Sequence, residues 1–225
     1  MKQASDLRIP FTWENRHPIL LDRYLYIPGC FERHEEWSRI SWEDLFGNQH
    51  PIVVEYCSGN GQWICDLAKK NPDRNWIAVE KRFDRSRKIW LRLHRENISN
   101  LIVVCGEAVT FTRHYLPPKS VAEIFVNFPD PWPKLRHAKH RLIRKEFIEL
   151  VEKILESEGK ATFTTDDRPY VDQMLEVVFF HPRWKPSCPE PYFMTEIPNF
   201  GSSYFCDLWK KKGRIIHHLQ FEVKS

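Results

Sequence analysis

The sequence contains no apolar run that approaches the roughly 18 residues of a membrane-spanning helix. Its opening stretch, MKQASDLRIPFTWEN, has no apolar core of the kind found in a secretory signal peptide. Six cysteines are present, yet no two form a CxxC pair and none has histidines at metal-ligand spacing. We therefore expect no membrane segment, no disulfide framework and no bound metal, and we expect a reducing, cytoplasmic location.

The basic residues are unevenly distributed, although the net charge of the 225 residues is only +4. Residues 134–145, KLRHAKHRLIRK, hold six Lys or Arg and no acid, and residues 210–214 hold four more. The rest of the chain is mildly acidic. This pattern predicts a localised anionic partner, whereas a solvated helix face explains the first segment if it is taken alone.

The alternation of short β-branched runs with helical spacing begins near residue 51. We interpret residues 1–50 as an N-terminal leader packed on the core and residues 51–225 as the main domain. Strands are predicted at residues 52–56, 76–80, 101–105, 121–128 and 161–165. Helices are predicted at residues 62–70, 84–97, 141–155 and 169–180, with Gly159 ending the third of them.

Two further strand candidates, residues 205–210 and 214–223, are joined by a glycine turn at the end of the chain. Repeated β–α alternation is typical of a parallel sheet with helices on both faces. The sequence therefore predicts an α/β fold with a mainly parallel seven-stranded sheet and a C-terminal antiparallel hairpin.

Acidic side chains lie at the ends of three successive predicted strands, where open α/β sheets bind ligands. Glu55 is followed by the turn CSGNG, which contains Gly59 and Gly61; Glu80 closes the second strand, and Glu107 follows the third. No GK[ST] follows the turn, so it is not a phosphate-binding P-loop. An adenosine-bearing ligand without a triphosphate fits this pattern. One candidate is S-adenosylmethionine (SAM), with Glu80 on the ribose and Glu107 near the adenine amine. The other is NAD, although the longer glycine motif of NAD-binding folds is absent.

The segment FPDPWPK, residues 128–134, follows the fourth predicted strand. Its three prolines lack N–H donors and fix φ, so Asp130 is predicted to lie on a stiff loop. A rigid carboxylate beside Trp132 suits a planar base with N–H donors, and the basic run that follows suits phosphates. A proline-rich turn with a core tryptophan is the purely structural alternative.

The run FPDPWPKLRHAKHRL resembles the signature FPDPW-x-K-x-[RH]-H-x-K-R-R of the bacterial tRNA (guanine-N7-)-methyltransferases. Further matches are VVEYCSGNG, IAVEKR, GEAV, TTDDRPYVDQML and CDLW. The resemblance covers residues 45–180 and implies a Rossmann-like class I methyltransferase fold with SAM as cofactor. It also implies that tRNA is the partner, methylated at N7 of guanine 46 in the variable loop. The sequence leaves both a monomer and a homodimer open.

The resemblance also assigns roles to individual residues. It implies that SAM is bound by Glu55, Gly59, Gly61, Glu80, Glu107 and Asp130. Asp130 would in addition be the catalytic residue, and Lys134 and Asp166 would contact the target nucleotide, with Thr195 in a further substrate loop. Together with Lys134, the cations Arg136, Lys139 and Arg141 of the basic run would bind phosphates.

The sequence departs from the family pattern at three places. Cys57 occupies the position of the first glycine of the usual E-x-G-x-G-x-G motif, and Glu107 replaces the more usual aspartate. Near the C-terminus, Pro198 stands where the family's T-x-F-E motif has glutamate. We therefore carry no substrate role over to Pro198.

The chemistry that the resemblance implies needs few residues. Guanine N7 carries a lone pair and no proton, so methyl transfer requires alignment and charge complementarity but no general base. Two other functions stay open. Methylation of an exocyclic amine is one, because NFPDPW is related in kind to the [ND]-P-P-[FYW] loop of such enzymes. A non-catalytic RNA-binding scaffold is the other.

Overall fold

The computed structural model of the chain describes residues 16–37 and 40–224. The chain forms two compact units, Met1–Leu116 and Pro117–Ser225. The predicted division into a leader, residues 1–50, and a main domain, residues 51–225, stays a prediction. Within the first unit, the described part of that leader supplies two short strands, one 3-10 helix and one short α-helix.

Five strands of the first unit are hydrogen-bonded in the order β1-β2-β5-β4-β3. Their bounds are Ile19–Leu21 for β1, Tyr24–Tyr26 for β2, Ile52–Tyr56 for β3, Asn75–Glu80 for β4 and Leu101–Cys105 for β5. Strands β3, β4, β5 and β2 run parallel, and β1 is antiparallel to β2. Every side chain of β4 and β5 is buried, as expected for a parallel sheet covered on both faces.

A 3-10 helix spans His34–Glu36 in the first unit. Four α-helices are also described there, and two of them are the crossovers that parallel strands require. They are α1 Trp42–Phe46, α2 Gln62–Lys70, α3 Phe83–Arg95 and α4 Ala108–Tyr115. The sequence did not predict α4, because its Val, Thr and Phe residues favour strands. Burial of Phe111 and Tyr115 and a side-chain cap from Glu107 select the helix instead.

Four strands and three helices form the second unit. The strands are β6 Val121–Asn127, β7 Leu155–Thr165, β8 Trp184–Pro186 and β9 His217–Val223, in the order β6-β7-β9-β8. Strands β6 and β7 are parallel, whereas β9 is antiparallel to both β7 and β8. The helices are α5 Lys145–Ile154, α6 Arg168–Phe179 and α7 Tyr204–Lys211, and a 3-10 helix spans Leu135–His140.

The predicted α/β fold with a mainly parallel sheet and antiparallel C-terminal strands is confirmed. The described residues contain nine strands: six of the seven predicted ones, together with β1, β2 and β8, which were not predicted. The predicted strand at residues 205–210 is wrong, since this stretch lies in helix α7. Ser203 caps that helix by accepting a hydrogen bond from the Cys206 N–H, at 3.1 Å, so the run begins with a strong helix-start signal.

The predicted role of Gly159 as a helix end is also wrong. Helix α5 ends at Ile154, and Leu155 is already extended and begins β7. Gly159 lies inside β7, where an added Cβ would come within 2.9 Å of the Glu156 carbonyl oxygen. The glycine is therefore needed for close backbone packing at an irregular part of the strand.

A charge network connects α2 to the end of α3 in the first unit. Glu96 accepts from Lys69 Nζ at 2.7 Å and from Arg92 Nε at 2.8 Å, and Arg92 also contacts Asp66 at 2.6 Å. The hydrogen bond from Lys69, reinforced by Arg92 and Arg95, lowers the pKa of Glu96 to about 2. Because the folded-state pKa is depressed, the network stabilises the protein above the ordinary glutamate pKa and ceases to do so as pH falls towards 2.

We predict that Glu96→Gln lowers the free energy of unfolding by about 1–2 kcal/mol at pH 7, after allowance for solvent screening. The difference from wild type should shrink steadily between pH 5 and about pH 2, when urea unfolding is measured across that range. Glu149→Gln, at an exposed position of α5, is the matched control and should follow the wild-type pH profile. A Glu96→Gln difference that does not change with pH would contradict the prediction.

Candidate functional site

A turn with left-handed backbone follows β3 in the first unit. Cys57, Gly59 and Gly61 have φ angles of +62°, +56° and +74°. Gly61 is also the N-cap of α2, and an added Cβ would lie 2.7 Å from Ile89 Cγ1. Both the backbone angle and the lack of space therefore require glycine at residue 61.

Glu80 is the residue that holds this turn. It ends β4 and is only 6% exposed, and its Oε2 accepts the Gly59 N–H at 2.9 Å while its Oε1 accepts the Arg82 N–H at 2.8 Å. Burial raises the pKa of Glu80, and the two backbone donors oppose this rise. An ionised carboxylate can accept about four hydrogen bonds. Glu80 therefore keeps acceptor capacity for two ligand hydroxyls, in an orientation that the backbone fixes.

The other two predicted acids differ from Glu80 in what they contact. Glu55 is buried within β3, and its carbonyl oxygen accepts from Ser58 Oγ at 3.0 Å at the start of the glycine turn. Glu107 is the N-cap of α4, where its Oε2 accepts the Thr110 N–H at 2.7 Å. The sequence did not predict this capping role, because glutamate is not among the favoured N-cap residues.

Asp130 lies on a strained loop of the second unit. Phe128 and Trp132 both have positive φ, +51° and +42°, and the Phe128 N–H donates to the Thr164 carbonyl oxygen at 2.8 Å. Between them, Asp130 is exposed and is flanked by Pro129 and Pro131. The loop thus presents a carboxylate to solvent, and the prolines on both sides of it restrict φ.

The structure separates the four cations that were expected to bind phosphates. Lys134, Arg136 and Lys139 are exposed, in or beside the 3-10 helix. Arg141 is only 6% exposed, and its Nε donates to the Pro131 carbonyl oxygen at 2.6 Å. The expectation that Arg141 binds phosphate is not supported by this geometry, because its guanidinium is directed into the unit.

Asp166 is paired with the second basic segment. Arg214 Nη1 donates to Asp166 Oδ2, and the Arg214 guanidinium lies 4.2 Å from the centroid of the Trp209 ring. The sequence placed Asp166 and Arg214 in separate motifs and gave no sign that they form an ion pair.

Thr195 is exposed. It lies beside strand β9, since its neighbour Met194 forms an isolated backbone bridge with His218 of that strand. His218 Nδ1 and Thr164 Oγ1 form a hydrogen bond of 3.0 Å, and burial lowers the pKa of His218 to about 4. At neutral pH this histidine is therefore uncharged. Thr164 contacts both His218 and the start of the Asp130 loop, so it connects the backbone of the Thr195 segment with that of the loop.

No cluster of three or more His, Cys, Asp or Glu side chains suited to a metal ion occurs in the described residues. Among the helices of residues 16–37 and 40–224, none has the length and apolarity needed to cross a membrane.

We predict that Cys57→Gly stabilises the protein, because a Cβ in the left-handed region costs roughly 1–2 kcal/mol. The net gain in the free energy of unfolding should be smaller than this cost, about 0.5–1 kcal/mol, because glycine loses more backbone freedom on folding than cysteine does. The matched control is Cys57→Ala, which removes the thiol but keeps the Cβ. Urea unfolding should find Cys57→Gly more stable than Cys57→Ala. Equal stability of the two variants would show that the turn is not strained at residue 57.

Solved structures that resemble the chain are methyltransferases. The 16S rRNA methyltransferase KamB superposes with a TM-score of 0.59 at 16% identity, covering 82% of this chain and 93% of its own. The phosphoethanolamine N-methyltransferase 2 of Haemonchus contortus, solved in complex with S-adenosyl-L-methionine, has a TM-score of 0.52 at 14% identity and covers 85% of this chain and 56% of its own. At such identities the likeness shows the fold alone.

Sequence relatives extend over nearly the whole chain. A Chlamydia abortus protein named tRNA (guanine-N(7)-)-methyltransferase is 46% identical over 222 residues, which cover 99% of this chain and 98% of that one. A Rubrobacter xylanophilus protein of the same name is 30% identical and covers 84% of each chain. A family model described as "Putative methyltransferase" matches residues 49–217. The chain therefore belongs to the tRNA (guanine-N(7)-)-methyltransferase family.

Proposed function

We propose that this protein transfers a methyl group from SAM to N7 of guanine in tRNA, at position 46 of the variable loop. The observation that carries the proposal is the loop of residues 128–134, which presents the Asp130 carboxylate on strained, proline-fixed backbone. Exposed cations follow it directly in the chain. The near full-length relatives that bear the name tRNA (guanine-N(7)-)-methyltransferase support the same function.

The first unit carries the residues that we assign to SAM, the source of an electrophilic methyl group. Glu80 fits a ribose, because its carboxylate is oriented by two backbone N–H groups and retains acceptor capacity for two hydroxyls. The left-handed glycine turn lets the backbone approach a ligand closely at Gly59 and Gly61. We assign Glu55 to SAM as well, because it is a buried acid on the strand next to β4. We also assign Glu107 to SAM, through its Oε1 atom, because its Oε2 atom caps α4.

The second unit carries the residues that we assign to the target base. Guanine N7 has no proton to lose, so a base catalyst is unnecessary and the site must align the lone pair and favour the positive charge that develops on the purine. Asp130 suits this role because a carboxylate accepts hydrogen bonds from N–H groups and stabilises nearby positive charge. Asp166 and Thr195 are assigned to the nucleotide that is methylated.

Binding of the RNA backbone is assigned to exposed cations of the second unit. Three of these cations lie in or beside the 3-10 helix, namely Lys134, Arg136 and Lys139. The four cations of residues 210–214 are the others. Phosphate contacts of this kind release counterions, so tRNA affinity should depend steeply on salt. A tRNA substrate and the six free cysteines accord with a cytoplasmic location.

We predict that Glu80→Gln weakens SAM binding by roughly 2–3 kcal/mol, a factor of tens to hundreds. The amide has one acceptor oxygen instead of two, so at least one backbone donor or ribose hydroxyl loses its partner. Calorimetric titration of SAM and of NAD into wild type and variant measures the effect, with the exposed Glu32→Gln as control. Unchanged SAM affinity, or tight binding of NAD to the wild type, would remove Glu80 from the proposed site.

We predict that the product is 7-methylguanosine at one position of the tRNA. Methylation at N7 leaves a fixed positive charge that weakens the imidazole ring and the glycosidic bond, so borohydride followed by aniline should cleave the strand there. With unmodified tRNA, SAM and purified protein, we expect a single cleavage at guanine 46. A transcript with adenine at position 46 is the matched control and should not be cleaved.

Other outcomes of this assay separate the alternatives. Methyl transfer without cleavage would favour methylation of an exocyclic amine, since that product is a neutral base. Cleavage at another guanine would keep the N7 chemistry and overturn position 46. SAM binding without transfer to any tRNA would favour another substrate or a non-catalytic RNA-binding role.

A further inference from the structure

Arg141 is buried within the second unit and contacts the loop that carries Asp130. Its Nε donates to the carbonyl oxygen of Pro131 at 2.6 Å, and its Nη2 lies 3.5 Å from the carbonyl oxygen of Trp132. These two carbonyls belong to the two residues that follow Asp130. We propose that Arg141 is a positioning residue that fixes the Asp130 carboxylate for methyl transfer through the backbone of Pro131 and Trp132.

The loop has few backbone hydrogen-bond donors of its own, so a side chain that binds its carbonyls adds a restraint that the prolines do not supply. Proline at residues 129, 131 and 133 removes three backbone donors, so the loop cannot form the hydrogen bonds of a regular turn or strand at these positions. Trp132 adopts a positive φ of +42°, which a side chain disfavours. A guanidinium offers five donors in a rigid plane and can therefore fix neighbouring carbonyls together.

Two side chains of helix α6 also contact the Arg141 guanidinium. Arg141 Nη1 donates to Gln173 Oε1, and the Arg141 guanidinium carbon lies 5.0 Å from the centroid of the Tyr170 ring. Gln173 Nε2 in turn donates to the Ile143 carbonyl oxygen at 3.0 Å, and the Tyr170 hydroxyl accepts the Ile143 N–H at 3.0 Å. Tyr170 and Gln173 thus fix both the side chain of Arg141 and the backbone two residues beyond it.

The same geometry distinguishes Arg141 from its neighbours in the basic run. Lys134, Arg136 and Lys139 are exposed, as phosphate ligands must be, whereas Arg141 is 6% exposed and its donors are directed at protein oxygens. A buried charge is tolerated when it is hydrogen-bonded, and here the acceptors are the loop carbonyls and an amide. Arg141 therefore acts on the loop and not on the RNA backbone.

The test is Arg141→Lys, which keeps the charge but loses the planar set of donors. The inference rests on the proposed function, so the main readout is single-turnover methylation at saturating tRNA and SAM. We expect the rate to fall about tenfold to hundredfold, because small displacements of a positioned group are costly. The dissociation constant of tRNA and its salt dependence should stay at their wild-type values. Gln173→Ala should produce a smaller loss of the same kind.

Arg183→Lys is the matched control. Arg183 also lies in the second unit, contacts the Glu152 carboxylate at 3.3 Å and the Lys224 carbonyl oxygen at 3.4 Å, but is half exposed. This variant should methylate tRNA at the wild-type rate. The salt slope is tested with Arg141→Gln, which removes the charge. A flattening of its log–log salt slope by about one unit, at an unchanged single-turnover rate, would show a phosphate contact and overturn the inference.

A double-mutant cycle with Asp130→Asn tests whether the effect passes through Asp130. If it does, Arg141→Lys should reduce the rate much less in the Asp130→Asn background than in wild type. Equal reduction in both backgrounds would contradict the positioning role. If Arg141→Lys fails to fold, Gln173→Ala replaces it in the cycle.

Hydrogen exchange provides a readout that does not depend on activity. Amide exchange in peptides that cover residues 128–137 should be faster in Arg141→Lys and Gln173→Ala than in wild type, and unchanged in Arg183→Lys. Unchanged exchange in all three variants would overturn the inference even if tRNA is methylated. Faster exchange, in a protein that methylates no tRNA, would support the loop contact and reject the proposed function.

Discussion

A buried charge that is hydrogen-bonded to backbone groups organises the candidate residues of each unit. In the first unit, the Glu80 carboxylate accepts the N–H groups of Gly59 and Arg82. In the second, the Arg141 guanidinium donates to the carbonyl oxygen of Pro131. Because an uncompensated buried charge is expensive, each charge fixes the conformation of the backbone that compensates it. In both units that backbone follows a parallel strand, the position at which α/β folds bind ligands.

Left-handed residues with side chains occur in both of these loops. Cys57 lies between β3 and α2, and Phe128 and Trp132 flank Asp130. Strained backbone of this kind persists only where the surroundings overdetermine it, and it is concentrated at functional sites. The N–H of Phe128 and the carbonyls that Arg141 contacts are the restraints on the Asp130 loop. These hydrogen bonds therefore hold the loop in its strained backbone conformation.

Local patterns predicted the parts of the molecule that depend on neighbours in sequence. The bounds of β3, β5 and α2 agree with the prediction, because buried parallel strands are short continuous apolar runs and an amphipathic helix has apolar residues at helical spacing. Helix α7 was predicted as a strand because its aromatic residues favour strands, although Ser203 supplies a helix-start signal just before it. The cap formed by Glu107 was missed because glutamate is not among the favoured N-cap residues, although its partner Thr110 is close in sequence. The burial of Arg141 was missed because it depends on groups such as Gln173, which lies far from Arg141 in sequence.

Methyl transfer to N7 would require alignment rather than proton transfer, and this changes which residues matter. Correct orientation of reactants is worth as much as about 7–11 kcal/mol of an activation barrier, more than a single acid or base supplies. A site of this kind depends on the stiffness of the backbone that carries its ligands. In the second unit, prolines restrict φ around Asp130, and Arg141 fixes the carbonyls that follow it. One basic run thus serves two purposes, because its exposed cations suit RNA phosphates while its buried arginine holds the loop in place.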